Sequence, residues 1–300
     1  MRSAFFISFT FFATTLGGQQ PGRPIQNGAL PAVSPDGKRV AFISNRDGTS
    51  DVYVAEVDGG RVTRLTNSPA SEGPPRWLAD GRVVYSVWAN DTARVYATAA
   101  TGGDAALIAI VPQTRGASIS PDGKRLLYSA GRMPKSVLTV SNIDGTNARA
   151  LFSADTSAIV FNAVWSPDGN RIAYARADTL RGPLNVWIAD ADGSHPKRLT
   201  NIPTTEGSPQ WPDWSPDGKR LAVQVGKYNR DKPSENTAHI WIVDLNAVAT
   251  KLAPHDKPFL DETPSWFPDG RRIAIQSDRS GRMEVWIVSI DGKEAVQLTK

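Results

Sequence analysis

The sequence predicts an all-β fold, a six-bladed β-propeller whose blades are four-stranded antiparallel sheets. The first observation is a Ser-Pro-Asp-Gly-Lys-Arg motif that recurs six times, with substitutions in some copies, and precedes a short apolar run. The second is the spacing of the motif, 42 to 52 residues, which is typical of repeat architectures. The third is that each repeat contains four short strand-like runs and almost no helical periodicity. The motif aspartates are Asp36, Asp80, Asp122, Asp168, Asp217 and Asp269.

The motif is predicted to be a turn between two strands. A large apolar residue, most often Trp, stands three positions before each motif aspartate and marks the innermost strand, A. Pro and Gly supply the φ angles of a type I turn followed by a left-handed residue, and Asp can accept hydrogen bonds from the turn's own backbone. The apolar run after the turn is strand B. Because the aspartates recur with the blades, we assign them a folding role rather than a catalytic one.

Two further strands complete each repeat. Strand C carries a β-branched residue followed by Tyr, Leu or Trp, as in Val52-Tyr53 and Val186-Trp187. An Asp-Gly or Gly-Gly turn follows in five repeats, and strand D is then a short run such as Arg-Leu-Thr. In repeats two and three strand D is degenerate, and only Leu107-Ile108 and Leu151-Phe152 indicate it.

The predicted organisation is one propeller over residues 30–300, preceded by a signal peptide over 1–18 and a leader or edge strand over 19–29. Two modes of ring closure are open: residues 24–30 add a strand to the last blade, or the first and last blades meet by packing alone. The blades are expected at about residues 30–67, 73–110, 115–153, 161–201, 210–253 and 262–300.

Composition restricts the class of partner. The formal net charge is +4, and the basic residues are spread along the chain without a basic block. This pattern describes a solvated mixed surface and argues against nucleic acid as a partner. The absence of cysteine excludes disulfides and thiolate metal sites.

The N-terminus predicts the compartment. Met1-Arg2 is followed by an apolar stretch of about ten residues and then by small residues, which is the pattern of a secretory signal peptide. We therefore expect a periplasmic or secreted protein that does not span the membrane after signal cleavage. We also expect a monomer.

The repeat resembles the WD40-like repeat called PD40, which builds the TolB-type propeller. The matching stretches include residues 162–174 and 212–218, together with the closing Arg64-Leu65-Thr66-Asn67. The resemblance covers about residues 30–300 and leaves out the α/β domain that precedes the propeller in TolB itself. It implies a propeller whose channel mouth is a protein-binding surface. Prolyl-oligopeptidase-like peptidases use the same repeat, but the Gly-x-Ser-x-Gly motif of their hydrolase domain does not occur in this sequence.

No sequence motif points to catalysis. The sequence has no His-Glu-x-x-His, phosphate-binding loop or dinucleotide-binding motif. The three histidines, at 195, 239 and 255, are placed at different ends of the propeller, so we expect no histidine metal site, no catalytic triad and no cofactor. The tryptophans of strands A and C are interpreted as packing between blades, with sugar-stacking platforms as the alternative.

Propeller geometry divides the loops between two faces. The turn face carries the short, repetitive A–B and C–D turns, and the mouth face carries the variable B–C loops and D–A connections around the channel. Variable loops on a rigid scaffold are where binding usually occurs. We predict that the charged residues there either join blade to blade or form a ring that captures a peptide or glycan. The candidate binding residues are Arg46, Glu72, Trp88, Arg115, Glu206, Trp211, Asp261, Glu262 and Arg279.

Three hypotheses for function follow. The favoured one is a non-catalytic propeller that binds a protein or peptidoglycan-associated envelope partner through the mouth face. The second is a propeller enzyme acting on a carbohydrate or lactone, with a divalent metal held by Glu72, Glu206 and Asp261, because hard cations prefer oxygen ligands. The third is that the chain is the propeller part of a larger protein.

Overall fold

The computed structural model describes residues 28–70, 72–89, 91–112, 117–131, 136–152, 158–179, 182–229, 231–252 and 259–300. The predicted signal peptide and most of the predicted leader lie outside these ranges. Within them the architecture is the predicted one, six four-stranded antiparallel sheets and a single short 3₁₀ helix, Pro233–Glu235. None of the described residues forms a helix with the length and hydropathy needed to cross a bilayer.

Each blade takes its four strands from one continuous stretch of chain, in sequence order. Blades 1 to 3 consist of β1 (Ala29–Val33), β2 (Arg39–Ser44), β3 (Asp51–Glu56), β4 (Val62–Arg64), β5 (Arg76–Trp77), β6 (Arg82–Ala89), β7 (Thr92–Ala99), β8 (Ala106–Pro112), β9 (Ala117–Ile119), β10 (Arg125–Ala130), β11 (Val137–Asn142) and β12 (Arg149–Ala150). Blades 4 to 6 consist of β13 (Ile159–Trp165), β14 (Arg171–Ala177), β15 (Asn185–Asp190), β16 (Lys197–Arg198), β17 (Ser208–Trp214), β18 (Arg220–Lys227), β19 (Thr237–Asp244), β20 (Ala249–Lys251), β21 (Glu262–Trp266), β22 (Arg272–Ser277), β23 (Glu284–Ser289) and β24 (Ala295–Gln297).

The outer strands of blades 2 and 3 differ from their predicted forms. β8 has seven residues rather than a degenerate pair, because it follows the eight-residue strand β7, which offers it a long pairing edge. β12 has only two residues and ends before Leu151, although the Leu151 N–H still donates to the Leu138 carbonyl at 2.8 Å.

The motif forms the turn that the sequence predicts. In blade 1, the Asp36 carboxylate accepts hydrogen bonds from the Ser34 hydroxyl and, at 3.1 Å, from the Lys38 N–H. The Ser34 bond, followed by the backbone bond, lowers the pKa of Asp36. Gly37 takes the left-handed conformation at φ 68°. The aspartate therefore organises the turn backbone.

Among the described residues, the first and last blades share no strand. β1 pairs with β2 in its own sheet, so residues 29–33 do not extend blade 6. Instead, Gln276 Oε1 of blade 6 accepts a hydrogen bond from the Leu30 N–H at 2.8 Å. Ser265 Oγ accepts another from the Val33 N–H at 3.1 Å.

The seam between blades 5 and 6 contains the same two contacts. Gln224 Oε1 accepts from the Thr263 N–H at 3.0 Å, and Asp213 Oδ2 accepts from the Trp266 N–H at 2.7 Å. These residues occupy repeat positions equivalent to those at the closing seam. The ring is therefore completed by the interactions of an ordinary blade border.

Gln276→Ala should weaken the closing seam. It leaves the Leu30 N–H without its acceptor and also removes a 2.6 Å bond to Glu262 Oε2, so we expect a loss of about 1–3 kcal/mol in the free energy of unfolding. Chemical denaturation measures it. Gln297→Ala is the control, because Gln297 lies on the outer strand β24 and its amide bonds only the Thr299 carbonyl. Equal losses in the two variants would contradict the closing role of Gln276.

Candidate functional site

The innermost strands enclose a central channel with a cavity of about 330 Å³. Its wall comes from blades 1, 2, 4, 5 and 6 and combines backbone with Trp and Pro side chains. At the turn-face end the wall is formed by Pro35, Pro167, Pro216 and Pro268 of the motif turns. At the mouth-face end it includes Leu30, Trp211 and Thr263. The motif prolines thus contribute to the channel wall, which sequence reasoning did not anticipate.

Two opposite charges face the channel from opposite blades. Arg76 and Asp213 each stand four residues before their motif aspartate, in blades 2 and 5, and both line the cavity. Burial raises the pKa of Asp213 to about 6, against the effects of the Trp266 N–H bond and of the Arg76 charge. Arg76 Nη1 donates to the Pro75 carbonyl at 2.9 Å. The channel therefore offers a cation and a titratable carboxyl to one ligand.

Sequence reasoning missed this pair, although a signal for it existed. In the other four blades the same repeat position holds a small or apolar residue: Ala32, Ser118, Val164 and Ser265. A charge at two of six otherwise uncharged positions was therefore detectable. That the two blades face each other across the ring follows only from the closed propeller.

Three buried tryptophans of the inner strands have indole N–H groups without a hydrogen-bond partner among the described residues. Trp165, Trp214 and Trp266 are 5–6% exposed, and their Nε1 atoms have no hydrogen-bond partner among the described residues. Trp77 differs, because its Nε1 donates to the Ala32 carbonyl at 2.8 Å. Buried donors without partners are uncommon in folded proteins.

A hydrogen-bond cluster stands on the mouth face between blades 5 and 6. Glu262 accepts from the Tyr228 hydroxyl at Oε1 and from Gln276 Nε2 at Oε2, the latter at 2.6 Å. Burial raises the pKa of Glu262, and burial together with the Glu262 charge raises the pKa of Tyr228. The Tyr228 ring lies over Gly226, where a Cβ would come within 2.4 Å of it. Glycine at this position lets the tyrosine reach the carboxylate.

Glu72 is a buried carboxyl group on the mouth face of blade 2. Glu72 is 4% exposed, and neither of its carboxylate oxygens has a hydrogen-bond partner among the described residues. Burial, followed by the nearby charge of Asp51, raises the pKa of Glu72 to about 8. A protonated Glu72 is therefore favoured at neutral pH.

Asp261 occupies the equivalent position in blade 6 and is compensated. Arg279 Nη2 lies 2.6 Å from Asp261 Oδ2, and the Ser277 hydroxyl donates to Oδ1 at 2.6 Å. In blade 2 the position of Arg279 is held by Ala89, so Glu72 has no equivalent cation. The Arg279–Asp261 pair joins the B–C loop of blade 6 to the residue before β21, whose N–H donates to the Ala238 carbonyl of blade 5 at 3.0 Å.

Arg46 is the equivalent of Arg279 in blade 1. Its Nε donates to the Ser44 hydroxyl at 2.9 Å, and its guanidinium carbon lies 5.7 and 5.3 Å from the ring centroids of Phe42 and Tyr53. These partners all belong to blade 1. Arg46 therefore covers the aromatic edge of its own blade.

The remaining candidates are dispersed. Trp211 lies in the channel wall within β17, and it holds a left-handed φ of 50°. Trp88 is half-buried at the end of β6, and its Cζ2 would lie 3.4 Å from a Cβ on Gly73. Glu206 is 3.9 Å from Lys251 Nζ, with 41% of its side chain exposed. Arg115 lies outside the described residues.

The three carboxylates suggested as metal ligands are not brought together. Glu72 stands alone in blade 2, Asp261 is engaged by Arg279, and Glu206 faces Lys251. Across the described ranges, no group of three or more His, Asp and Glu side chains could hold a metal ion.

A comparison with models of protein families identifies the family of this chain. The model of the family described as PD40, TolB beta propeller domain, matches residues 23–137 and 131–300. The chain belongs to this TolB-type propeller family. An uncharacterized protein of Agrobacterium fabrum is 28% identical over 184 residues, which are 60% of this chain and 56% of that protein. The chain thus spans just over half the length of this relative.

Solved structures share the TolB-type propeller fold. TolB from Acinetobacter baumannii superposes with a TM-score of 0.69 at 21% identity, covering 88% of this chain and 64% of that one. An oligogalacturonate lyase in complex with manganese gives a TM-score of 0.57 at 15% identity, covering 92% and 78%. At these identities the likeness extends to the fold alone.

Proposed function

We propose that this TolB-type propeller is a non-catalytic binding protein that captures a segment of a partner protein at the mouth of its channel. The observation that carries the proposal is that Arg76 and Asp213 line the same channel from facing blades, with the half-buried Trp211 in the same wall. A polypeptide segment can supply an anionic group, a cationic group and an apolar side chain together. The mixed character of the wall therefore suits a peptide better than a ligand of one charge.

The compartment and the class of partner belong to the same proposal. We place the protein in the periplasm or outside the cell, because its N-terminal sequence has the pattern of a signal peptide. The partner is then a protein or a peptidoglycan-associated component of the envelope, and nucleic acid is not expected. The TolB-type resemblance of the repeat implies a protein-binding channel mouth, and we propose that the protein is a monomer.

Site-specific photo-crosslinking tests the binding face. With p-benzoylphenylalanine at position 211 on the mouth face, we expect a discrete crosslinked product in envelope extract. With the same residue at position 146, in an exposed C–D turn, the yield should be at least five-fold lower. A second chain with Arg76→Gln at unchanged thermal stability should lose most of the product formed from position 211.

Two outcomes would contradict the proposal. Stronger crosslinking from position 146 would put binding on the turn face. A divalent metal bound one to one by the purified protein, and lost in Glu72→Ala, would favour the metal-dependent enzyme instead.

A further inference from the structure

A regular contact fills the seams between blades on the turn face. The last arginine of a blade's motif places its guanidinium over the strand-A tryptophan of the next blade. The distances from guanidinium carbon to ring centroid are 5.2 Å for Arg39 over Trp77, 4.3 Å for Arg125 over Trp165, 4.9 Å for Arg171 over Trp214 and 5.2 Å for Arg220 over Trp266. Such stacking is a cation–π interaction. Four of the six seams therefore contain the same arginine–tryptophan stack.

The seam between blades 2 and 3 lacks this arginine–tryptophan stack. Ile119 stands where the other seams have tryptophan. Arg82 is the motif arginine of this seam. Its Nη2 lies 2.8 Å from Oδ2 of Asp80 in its own blade, and 48% of the Arg82 side chain is exposed. The Arg82 guanidinium is thus held by an exposed carboxylate of its own turn.

The closing seam between blades 6 and 1 also lacks the tryptophan, but it is filled differently. Val33 takes the tryptophan position, and Phe267 of the blade 6 turn is fully buried against it. Pro268 follows and packs so closely that a Cβ on Gly37 would lie 3.0 Å from its Cγ. In blade 2 the corresponding turn residues are Leu78 and Ala79, which are smaller.

The space around the motif glycines also distinguishes the seam between blades 2 and 3 from the other five. In five seams a Cβ on the turn glycine would lie within 4 Å of a proline or arginine of the preceding blade: Gly37, Gly81, Gly169, Gly218 and Gly270. At Gly123, beside the seam between blades 2 and 3, nothing lies within 4 Å. This seam is therefore open where the others are closed.

A cleft of about 470 Å³ occupies the open seam. We call it the 2–3 cleft. Its floor and sides are apolar, and charged groups stand at its rim. The lining residues are Leu78, Ala79, Asp80, Arg82, Ile108, Asp122, Gly123 and Ile143.

We propose that the 2–3 cleft is a docking site for an aromatic side chain, tryptophan above all, presented by a partner polypeptide. The repeat itself indicates the occupant, because every seam with a strand-A tryptophan has the motif arginine over its ring. An incoming indole would meet the Arg82 guanidinium on one side and apolar contacts from Ile108 and Ile143 on the other. The cleft lies on the turn face, so this inference is independent of binding at the channel mouth.

The outer strand next to the cleft points to a polypeptide rather than to a free aromatic molecule. Ile108, which lines the cleft, lies on β8, the longest outer strand among those described. Its neighbours Leu107 and Ile110 are 50% and 55% exposed. An apolar surface that continues beyond the cleft fits a chain with aliphatic residues beside the aromatic one.

Binding is tested by heteronuclear NMR on the full chain, with the tripeptide amides Ac-Leu-Trp-Leu-NH2 and Ac-Leu-Leu-Leu-NH2 and with N-acetyl-tryptophan amide as probes. The tryptophan tripeptide should shift the signals of Arg82 Nε–H and of the Gly123 and Ile143 amides. It should bind at least five-fold tighter than the other two probes. Leu107→Ser with Ile110→Ser should abolish its advantage over N-acetyl-tryptophan amide.

Ile119→Trp supplies the missing ring from within the chain and should close the cleft. We expect it to raise Tm by about 2 °C or more and to weaken binding of the tryptophan tripeptide at least ten-fold. Val33→Trp is the matched control for stability, because the same substitution in the filled closing seam should lower Tm. Arg82→Gln keeps the cleft open and should weaken tripeptide binding by several-fold.

Several results would overturn the proposal. Equal affinity for the three probes would show that neither the aromatic ring nor the polypeptide is selected. Unchanged tripeptide binding in folded Ile119→Trp would place the probe elsewhere. Concentration-dependent shifts of the same signals without any probe would assign the cleft to a second copy of this chain.

Discussion

Glu72→Gln is expected to stabilise the protein at pH 9, by as much as about 4 kcal/mol, and to leave its stability near pH 4 unchanged. The glutamine has nearly the same shape but cannot ionise. Burial raises the pKa of Glu72 from 4.5 to about 8, so the folded protein retains the proton more strongly than the unfolded chain does. The stability that the neutral carboxyl provides is complete below pH 4.5 and is lost as the pH rises through about 8. The difference between variant and wild type should grow over this interval.

Asp261→Asn is the control for that experiment. It occupies the equivalent position in blade 6, but its carboxylate is held by Arg279 at 2.6 Å. Neutralising it leaves Arg279 without its partner and should destabilise the protein by about 1–3 kcal/mol at pH 7. The measurement is chemical denaturation of wild type and both variants between pH 4 and 9. A difference between Glu72→Gln and wild type that does not change with pH would contradict the raised pKa.

Trp214→Ala is expected to cost about 3–5 kcal/mol of unfolding free energy, whereas Trp211→Ala, three residues away, should cost less than about 1.5 kcal/mol. Trp214 is 5% exposed, packs in the core between blades 4 and 5, and lies under Arg171. Its removal leaves a cavity and also ends the stacking in that seam. Trp211 is half-buried in the channel wall, so alanine there removes fewer contacts.

For partner binding we expect the opposite, with the larger effect from substitution of Trp211 rather than of Trp214. Trp211→Ala should reduce photo-crosslinking from position 30 at the mouth-face end of the channel wall, while a folded Trp214→Phe variant should retain it. Calorimetric or denaturant unfolding and the crosslinking yield together measure the two effects. Equal stability losses at 211 and 214 would show that both tryptophans are structural.

The sequence predicted the parts of this fold that depend on neighbouring residues. The turn at Asp36 and Gly37 is local, because the hydrogen-bond partners of the aspartate lie within two residues of it. The blade count and the strand types followed from its repetition. β8 was underestimated, since its run of aliphatic residues does not alternate with polar ones and gave no clear strand pattern.

The candidate site was less predictable for a physical reason. Arg76 and Asp213 line one channel only because the ring brings blades 2 and 5 to face each other. The left-handed bulge six residues before the motif aspartate had no sequence signal either. In four blades it holds side chains with no common property: Leu30, Asn162, Trp211 and Thr263. The facing of blades 2 and 5 arises from closure of the propeller rather than from local preference.

The open seam at Ile119 also has a consequence for the order in which the propeller loosens. In repeat architectures, stability is the sum of the units and of the borders between neighbours, and the weakest border separates first. The border between blades 2 and 3 has no arginine–tryptophan stack, whereas the closing border has Phe267. Among the inner strands of the six blades, we therefore expect amide hydrogen exchange to be fastest along β9 of blade 3. Exchange along β9 should be slower in Ile119→Trp. The ring would then open in its first half, away from the seam where it was closed.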